Sequence, residues 1–310
     1  MRIVVTGAAG FIGSWLSEAL LTEGHEVVGI DCLTDYYPPE IKRRNLAVSL
    51  QSERFSFLEQ NLLEADLQGI LQEADVVFHQ AAQAGVRASW GGSFKIYSDN
   101  NILATQRLLE AAKDAKLEKI LYASSSSVYG DARKIPVCED DPLHPLSPYG
   151  VTKLAAESLC YLYHKNFGLP VVSLRYFTVF GPRQRPDMAF HKFIKAILRD
   201  EPLPVFGTGQ QTRDFTYIED AVHANLLAME KGQEGVVYNI GGGARISLNQ
   251  TIAALEEIAG KKAIRSESAV QKGDVLHTWA DTSLAQEELG FKPQFDFREG
   301  LRREFEWLAV

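Results

Sequence analysis

Tyr149 and Lys153 stand four residues apart within a helical pattern, so their side chains share one face. A tyrosine with an ordinary pKa near ~10 is a poor base at neutral pH. A neighbouring ammonium that stabilises the phenolate makes it usable. Alone, a Tyr-x-x-x-Lys pair is common on surface helices. Here it follows four consecutive serines, Ser124 to Ser127, at the end of an apolar strand. In open α/β sheets the carboxyl ends of strands are where ligands bind. A second cluster opens the chain. Gly7, Gly10 and Gly13 form Gly-x-x-Gly-x-x-Gly between an apolar strand and a helix that begins with Phe11 and Ile12. Glycine lets the backbone turn tightly and approach a pyrophosphate, and the helix N-terminus supplies free N–H groups and partial positive charge. Asp31, ending the second strand, is suited to accept both hydroxyls of an adenosine ribose and to repel a 2′-phosphate. NAD is therefore expected over NADP, and Arg43 and Arg44 lie too far along the chain to change that. Asn61 and Leu62 close the third strand, where the adenine is expected.

These residues need a scaffold of alternating strands and helices. Strands are expected at Ile3–Val5, Val27–Ile30, Phe55–Glu59, Asp75–Phe78, Lys119–Ser124 and Val171–Phe177. Helices are expected at Phe11–Glu23, Ile41–Leu50, Asn101–Ala115 and Pro148–Phe167. The strands are short and apolar on both faces, the pattern of a parallel sheet covered on both sides. The fold class is therefore α/β, a Rossmann-like doubly wound parallel sheet. After about Tyr176 the rhythm changes, as Pro182, Pro186, Pro202 and Pro204 interrupt it. Shorter helices are expected at Ala189–Arg199, Ile218–Glu230 and Leu248–Ala259, and a strand at Gly235–Ile240 is expected to return to the main sheet. Residues 1–175, with parts of 212–242, would form the NAD-binding domain, and 176–310 mainly a smaller C-terminal α/β lobe for substrate. The polar segment 131–146 reads as a surface loop.

Composition narrows the function classes. The 310 residues are 45% hydrophobic and 23% charged, which is ordinary for a globular protein. A net charge of −8 disfavours non-specific nucleic-acid binding, which depends on phosphate neutralisation. It leaves room for an anionic small ligand, because a few arginines reverse the field inside a pocket. The three cysteines, Cys32, Cys138 and Cys160, have no CxxC spacing, and the histidines form no HExxH, so neither a disulfide framework nor a metal site is expected. No apolar run approaches the ~20 residues that span a bilayer, and Met1 leads directly into a strand without a signal peptide. A cytoplasmic protein with no membrane partner is expected.

Taken together, VTGAAGFIGS, GID, HQAAQAGVR, DNN, ASSSSVYG, SPYGVTK, LRYFTVFGP, RDFTYIED and TSLAQEELGFKP resemble the extended short-chain dehydrogenase/reductase superfamily, and within it the NAD-dependent nucleotide-sugar epimerases. The resemblance covers essentially the whole chain. It implies that Tyr149 is the general base, Lys153 its electrostatic partner and a ribose contact, and Ser125 the hydroxyl that orients the sugar 4-hydroxyl. It also implies that Ala81, Ala82, Gln83, Asn101 and Tyr176 line the cofactor, and that the protein is a homodimer.

In this family Tyr149 would remove a sugar hydroxyl proton while hydride passes to NAD, and the keto-sugar would turn over and take hydride back on its other face. Related dehydratases carry Asp-Glu, and related decarboxylases a Glu, where this chain has Ser126-Ser127. GIDCLTDYY, AAQAGVR, FTVFGPRQRPDMAFHKF and QKGDVLHTWAD bring the resemblance nearest to UDP-glucuronate 4-epimerases. Ser126, Ser127, Thr178 and Arg185 would then hold the uronate carboxylate, Arg185 by a charge-assisted contact. The resemblance implies Arg213 for the diphosphate, Asp274 for the uridine ribose and Phe206 beside the uracil, with Phe190 and Phe193 as further aromatic candidates. Arg87 would contact the diphosphate or carboxylate, or tie down its own loop. UDP-glucose 4-epimerase stays open as an alternative, as do UDP-glucuronate decarboxylase and a non-catalytic NAD-binding scaffold on the same fold.

Overall fold

The computed structural model describes residues 1–132, 134–269 and 272–310. The first half alternates as its apolar periodicity requires: β1 (Arg2–Thr6), α1 (Phe11–Thr22), β2 (Glu26–Asp31), α2 (Pro39–Asn45), β3 (Phe55–Glu59), α3 (Leu67–Gln72), β4 (Val76–His79), α4 (Phe94–Tyr97), α5 (Ala104–Ala112), β5 (Lys119–Ser125), α6 (Pro148–Phe167) and β6 (Val171–Tyr176). The remainder takes shorter steps: β7 (Thr178–Phe180), α7 (Ala189–Leu198), β8 (Leu203–Phe206), β9 (Thr212–Tyr217), α8 (Ile218–Lys231), β10 (Val237–Ile240), β11 (Arg245–Ser247), α9 (Leu248–Ala259), β12 (Arg265–Ser268), α10 (Ser283–Leu289) and α11 (Phe297–Ala309).

Seven parallel strands form one sheet in the order β10-β6-β5-β4-β1-β2-β3. The chain winds outward from β1 to β3, then crosses to β4 on the other side of β1. Loops leaving β1 and β4 therefore diverge and open a crevice at the carboxyl ends. Successive strand residues point to opposite faces. Ile3, Val5, Phe78 and Leu121 join one core, and Val4, Val77, Ile120 and Tyr122 the other. Both faces are buried, as a parallel sheet requires. The expected returning strand is β10, which pairs with β6.

Three departures from the sequence reading bear on the site. The helix expected at Asn101–Ala115 begins earlier, at α4, and ends at Ala112; between α4 and α5 it passes through a π-helical segment, Ser98–Leu103. That widened turn sets Asn101 inward. The segment 131–146 is a loop but not simply a surface one. Val137 is buried against Phe177 and Ala280, and its N–H donates to the Trp279 carbonyl at 2.8 Å. The C-terminal lobe contains strands that the proline-rich sequence concealed: a β11-β9-β7 sheet and a β12-β8 pair. Strands of three to six residues leave too little alternation to read. The lobe packs on Phe180, Phe190, Phe215 and Phe297, whose rings meet at centroid distances of 4.7 to 6.0 Å. Among the described residues no helix is long and apolar enough to cross a membrane.

Candidate active site

The turn after β1 has no room for side chains. Gly7 takes a φ of +71°, and a Cβ there would lie 2.8 Å from the Ala81 nitrogen. A Cβ on Gly13 would lie 2.2 Å from the Gly7 carbonyl oxygen. Gly10 caps α1 without a side-chain hydrogen bond, so the first N–H groups of the helix stay available to an anion. Beyond this turn a cleft opens along the carboxyl ends of the strands. Gly7, Gly10, Phe11, Ile12, Gly13, Asp31, Asn61, Leu62, Ala81, Ala82, Gln83, Tyr149, Lys153 and Tyr176 all line it. Asn101, expected among them, does not. It stands behind the wall, accepting from the Gln83 N–H (2.7 Å) and donating to the Gln83 carbonyl (3.0 Å) and Thr152 Oγ1 (2.9 Å). Asn100 lines the cleft instead.

Asp31 ends β2 and accepts the N–H groups of Leu33 (2.8 Å) and Ala9 (3.2 Å). Burial pushes its pKa up, and the charge of Lys42 opposes that rise. Lys42 escaped the sequence reading because it belongs to α2, not to the strand end. It lines the same cleft, donates to Thr34 Oγ1 at 2.8 Å and lies 4.9 Å over the Tyr37 ring. Arg43, its neighbour, turns outward to Glu59 at 3.1 Å. These groups fit a dinucleotide with an unmodified adenosine ribose. Asp31→Ser is expected to narrow the preference for NAD over NADP by about ten- to a hundredfold, the size of one or two charge-assisted contacts. The carboxylate that repels a 2′-phosphate would be gone while Lys42 remained. The check is the ratio of dissociation constants of the two cofactors; an unchanged ratio defeats it.

Tyr149 lies in the first turn of α6. Pro148 opens that helix and the Ser147 hydroxyl accepts the Gly150 N–H at 3.1 Å, which fixes where the phenol enters the cleft. Burial raises the Tyr149 pKa, and a hydrogen bond with Ser125 and the positive charge of Arg185 oppose the rise. Lys153, one turn on, also lines the cleft but lies 4.9 Å over the Tyr122 ring. Burial lowers its pKa to about 8, with Cys160 and Glu157 opposing. Ser125 and Arg185 both favour the phenolate. Ser125 ends β5 and its Oγ accepts the Ser127 N–H at 3.2 Å. Ser126 and Ser127 form a half-buried turn directly after Ser125, and Ser124, which lines the cleft, donates to Glu157 Oε2 at 2.5 Å.

Of the residues expected to hold substrate, Arg185 shares the cleft with Tyr149. Thr178 is half-buried at the start of β7, opposite Phe215. Arg87, Phe206, Arg213 and Asp274 do not line that cleft, but they gather with one another. Arg87 donates to Asp274 at 2.6 Å and its guanidinium carbon lies 4.2 Å over the Phe206 ring. Arg213 is bonded to the carbonyls of Thr212 (2.9 Å) and Leu276 (3.2 Å). Burial lowers its pKa, the charge of Asp274 raises it, and that of Arg87 lowers it. Arg87 therefore ties its loop to the lobe through Asp274, and a ribose on Asp274 would share that carboxylate. Phe190 and Phe193 are buried in the lobe core and offer no face to a base. Gln271, in the QKGD segment, lies outside the described residues.

Residues 3–241 match the NAD dependent epimerase/dehydratase family. A Bacillus cereus UDP-glucuronic acid 4-epimerase, solved in complex with UDP-glucuronic acid and NAD, superposes with a TM-score of 0.97 at 49% identity, covering 99% of each chain. The chain is 43% identical over 310 residues to the UDP-glucuronate 4-epimerase of Thermodesulfobacterium geofontis (strain OPF15), covering 98% of this chain and 95% of the relative. It is also 48% identical over 311 residues to a Bacillus subtilis (strain 168) protein named an uncharacterized UDP-glucose epimerase, covering 100% and 98%.

Proposed function

The chain belongs to the NAD dependent epimerase/dehydratase family, and we propose that it interconverts UDP-glucuronate and UDP-galacturonate through a 4-keto intermediate with NAD as its cofactor. The observation that carries this reading is a guanidinium, Arg185, in the same cleft as Tyr149 and close enough to act on its phenol. A uronate carboxylate answers that charge; a neutral hexose does not.

Tyr149 takes the proton of the 4-hydroxyl, which Ser125 orients. NAD, held along the Gly7–Gly13 turn, Asp31 and Lys153, would supply the hydride acceptor and donor of the two half-reactions. Tyr149 then gives the proton back, and no net redox change remains. Lys153 provides a cation beside the ribose. The 4-keto uronate is a β-keto acid and loses CO2 when its C–C bond aligns with the carbonyl π system. We assign to Ser126, Ser127, Thr178 and Arg185 the task of holding the carboxylate out of that alignment. No acid stands at Ser126-Ser127 to drive dehydration, and the intact Ser125, Tyr149 and Lys153 set speaks against a silent scaffold. A second reading, UDP-glucose 4-epimerase, is favoured by the name of the Bacillus subtilis relative.

The test is incubation with NAD and UDP-glucuronate, in parallel with UDP-glucose, with products resolved by NMR. UDP-galacturonate from the first and little UDP-galactose from the second is the expected result. UDP-galactose as the main product would transfer the assignment to the hexose enzyme, and a UDP-pentose with CO2 would make the protein a decarboxylase.

The same reading treats residues 1–175, with α8 and β10, as the NAD-binding part, and most of 176–310 as the nucleotide-sugar lobe. It also takes the protein as a cytoplasmic homodimer. Exposed Val151, Tyr161, Leu162 and Phe167 on α6, with Ile96 and Leu103 nearby in sequence to α5, supply an apolar surface of the kind that pairs across a two-fold axis. Sedimentation of wild type and Leu162→Glu, with a monomer only for the variant, is the corresponding check.

A further inference from the structure

Three stretches of sequence distant from one another meet beside Arg185. Asp187 accepts from Arg185 at two points, Nε to Oδ1 (2.9 Å) and Nη2 to Oδ2 (3.0 Å). Tyr36, from the loop after β2, donates its hydroxyl to the same Asp187 Oδ2 at 3.2 Å. Tyr36 reaches this point because residue 85 is glycine: a Cβ there would lie 2.2 Å from the Tyr36 hydroxyl oxygen. The stretches are the DYY, AGVR and RPD segments; Tyr36 lines the cleft with Arg185, and the proton transfer uses none of Tyr36, Gly85 and Asp187.

The pairing has a direction. A guanidinium offers two edges to carboxylates, one through Nε and Nη2 and one through Nη1 and Nη2. Asp187 takes the first edge. Among the described residues, Nη1 makes none of the hydrogen bonds that hold Arg185. The second edge is thereby left for an incoming anion in the cleft that Arg185 shares with Tyr149. Tyr36 keeps its proton, since burial and then the Asp187 charge push its pKa up. Burial raises the Asp187 pKa, but the charge and hydrogen bonds of Arg185 and the hydroxyl of Tyr36 outweigh it and leave it lowered. Donor and acceptor states are therefore fixed near neutral pH.

From this we infer that Tyr36 and Asp187 are positioning residues for substrate selection: they lock Arg185 so that its free edge meets the sugar carboxylate. The inference rests on the proposed uronate substrate. A flexible arginine would pay rotamer entropy when it met the carboxylate; one already held loses less.

The test compares wild type, Tyr36→Phe and Asp187→Asn by two readings: KM and kcat for UDP-glucuronate, and the inhibition constant of UDP-glucose as a competitor. Tyr36→Phe keeps the ring and removes one hydrogen bond, so KM for UDP-glucuronate should rise about three- to tenfold. Asp187→Asn removes the charge and one point of the fork, and a rise of about tenfold or more is expected. In both variants the UDP-glucose inhibition constant should stay within about twofold, because a neutral hexose makes no carboxylate contact, and the rise in KM for UDP-glucuronate should exceed any change in its kcat. A general loss of structure would move both constants together, and that result, or an unchanged KM, overturns the assignment while the proposed function stands. Wild-type protein that fails to convert UDP-glucuronate would overturn both.

Discussion

Replacing Tyr149 with phenylalanine is expected to lower kcat with UDP-glucuronate by about a thousandfold, within the range typical for loss of a positioned general base. Cofactor and substrate affinity should stay near wild type. The phenol contributes its oxygen to proton transfer, and its ring packs edge-on to Tyr97 at a centroid distance of 6.3 Å, a contact phenylalanine keeps. Product formation followed by NMR, with calorimetric titration of both ligands, separates the two effects. A variant that binds poorly would show that the residue shapes the cleft instead of moving the proton. The neighbours also set a sign for pH dependence. Burial disfavours the phenolate, and Ser125 and Arg185 favour it, so kcat should rise with pH as Tyr149 ionises. Removing the Arg185 charge, as in Arg185→Gln, should move that rise to higher pH. A shift to lower pH would contradict the electrostatic role given to Arg185.

The parts of the site legible in the sequence are those whose chemistry is local. The Gly7–Gly13 turn, Asp31 at its strand end and the Tyr149–Lys153 spacing each lie within one or two elements, and the structure brings them to one cleft. What was hidden depends on contacts between residues far apart in the chain. Lys42 reads as one of three basic residues on a short helix, and only the folded structure shows that it, and not Arg43, faces the Asp31 side of the cleft. Asp187 reads as a loop acid until Tyr36, 151 positions earlier, is found bonded to it. Asn101 was read as a cofactor contact, and the π turn instead commits its amide to Gln83 and Thr152. Phe190 and Phe193 were candidates for stacking on a base because aromatic residues serve both uses, and burial in the lobe core decides the matter.

The buried pair beneath the catalytic helix gives the second large effect. Glu157 lies one turn beyond Lys153 on α6, and Arg175 lies on β6. The pair is joined at 2.6 Å and 3.0 Å with side chains only 7% and 4% exposed. Ser124 donates to the same carboxylate, and Arg175 also donates to the Tyr129 hydroxyl at 2.7 Å and the Glu139 carbonyl at 2.9 Å. Replacing both charges with apolar groups of similar volume costs little, whereas removing one leaves the other buried without its partner. Arg175→Met is therefore expected to destabilise the fold by about 3–5 kcal/mol, and Arg175→Met with Glu157→Leu to recover most of that loss; denaturant midpoints measure both. Activity should not recover in parallel. The Glu157 charge helps to hold up the Lys153 pKa, which burial has already lowered to about 8. Without that charge Lys153 should lose its proton at a lower pH. The ammonium is the form with a cation to offer the ribose, so the fall of activity on the alkaline side should begin earlier in the double variant than in wild type. Recovered stability with an unmoved alkaline limb would confine Glu157 to a packing role. Recovered stability with a displaced limb would mean that the pair sets the charge state of the catalytic lysine as well as the fold around it.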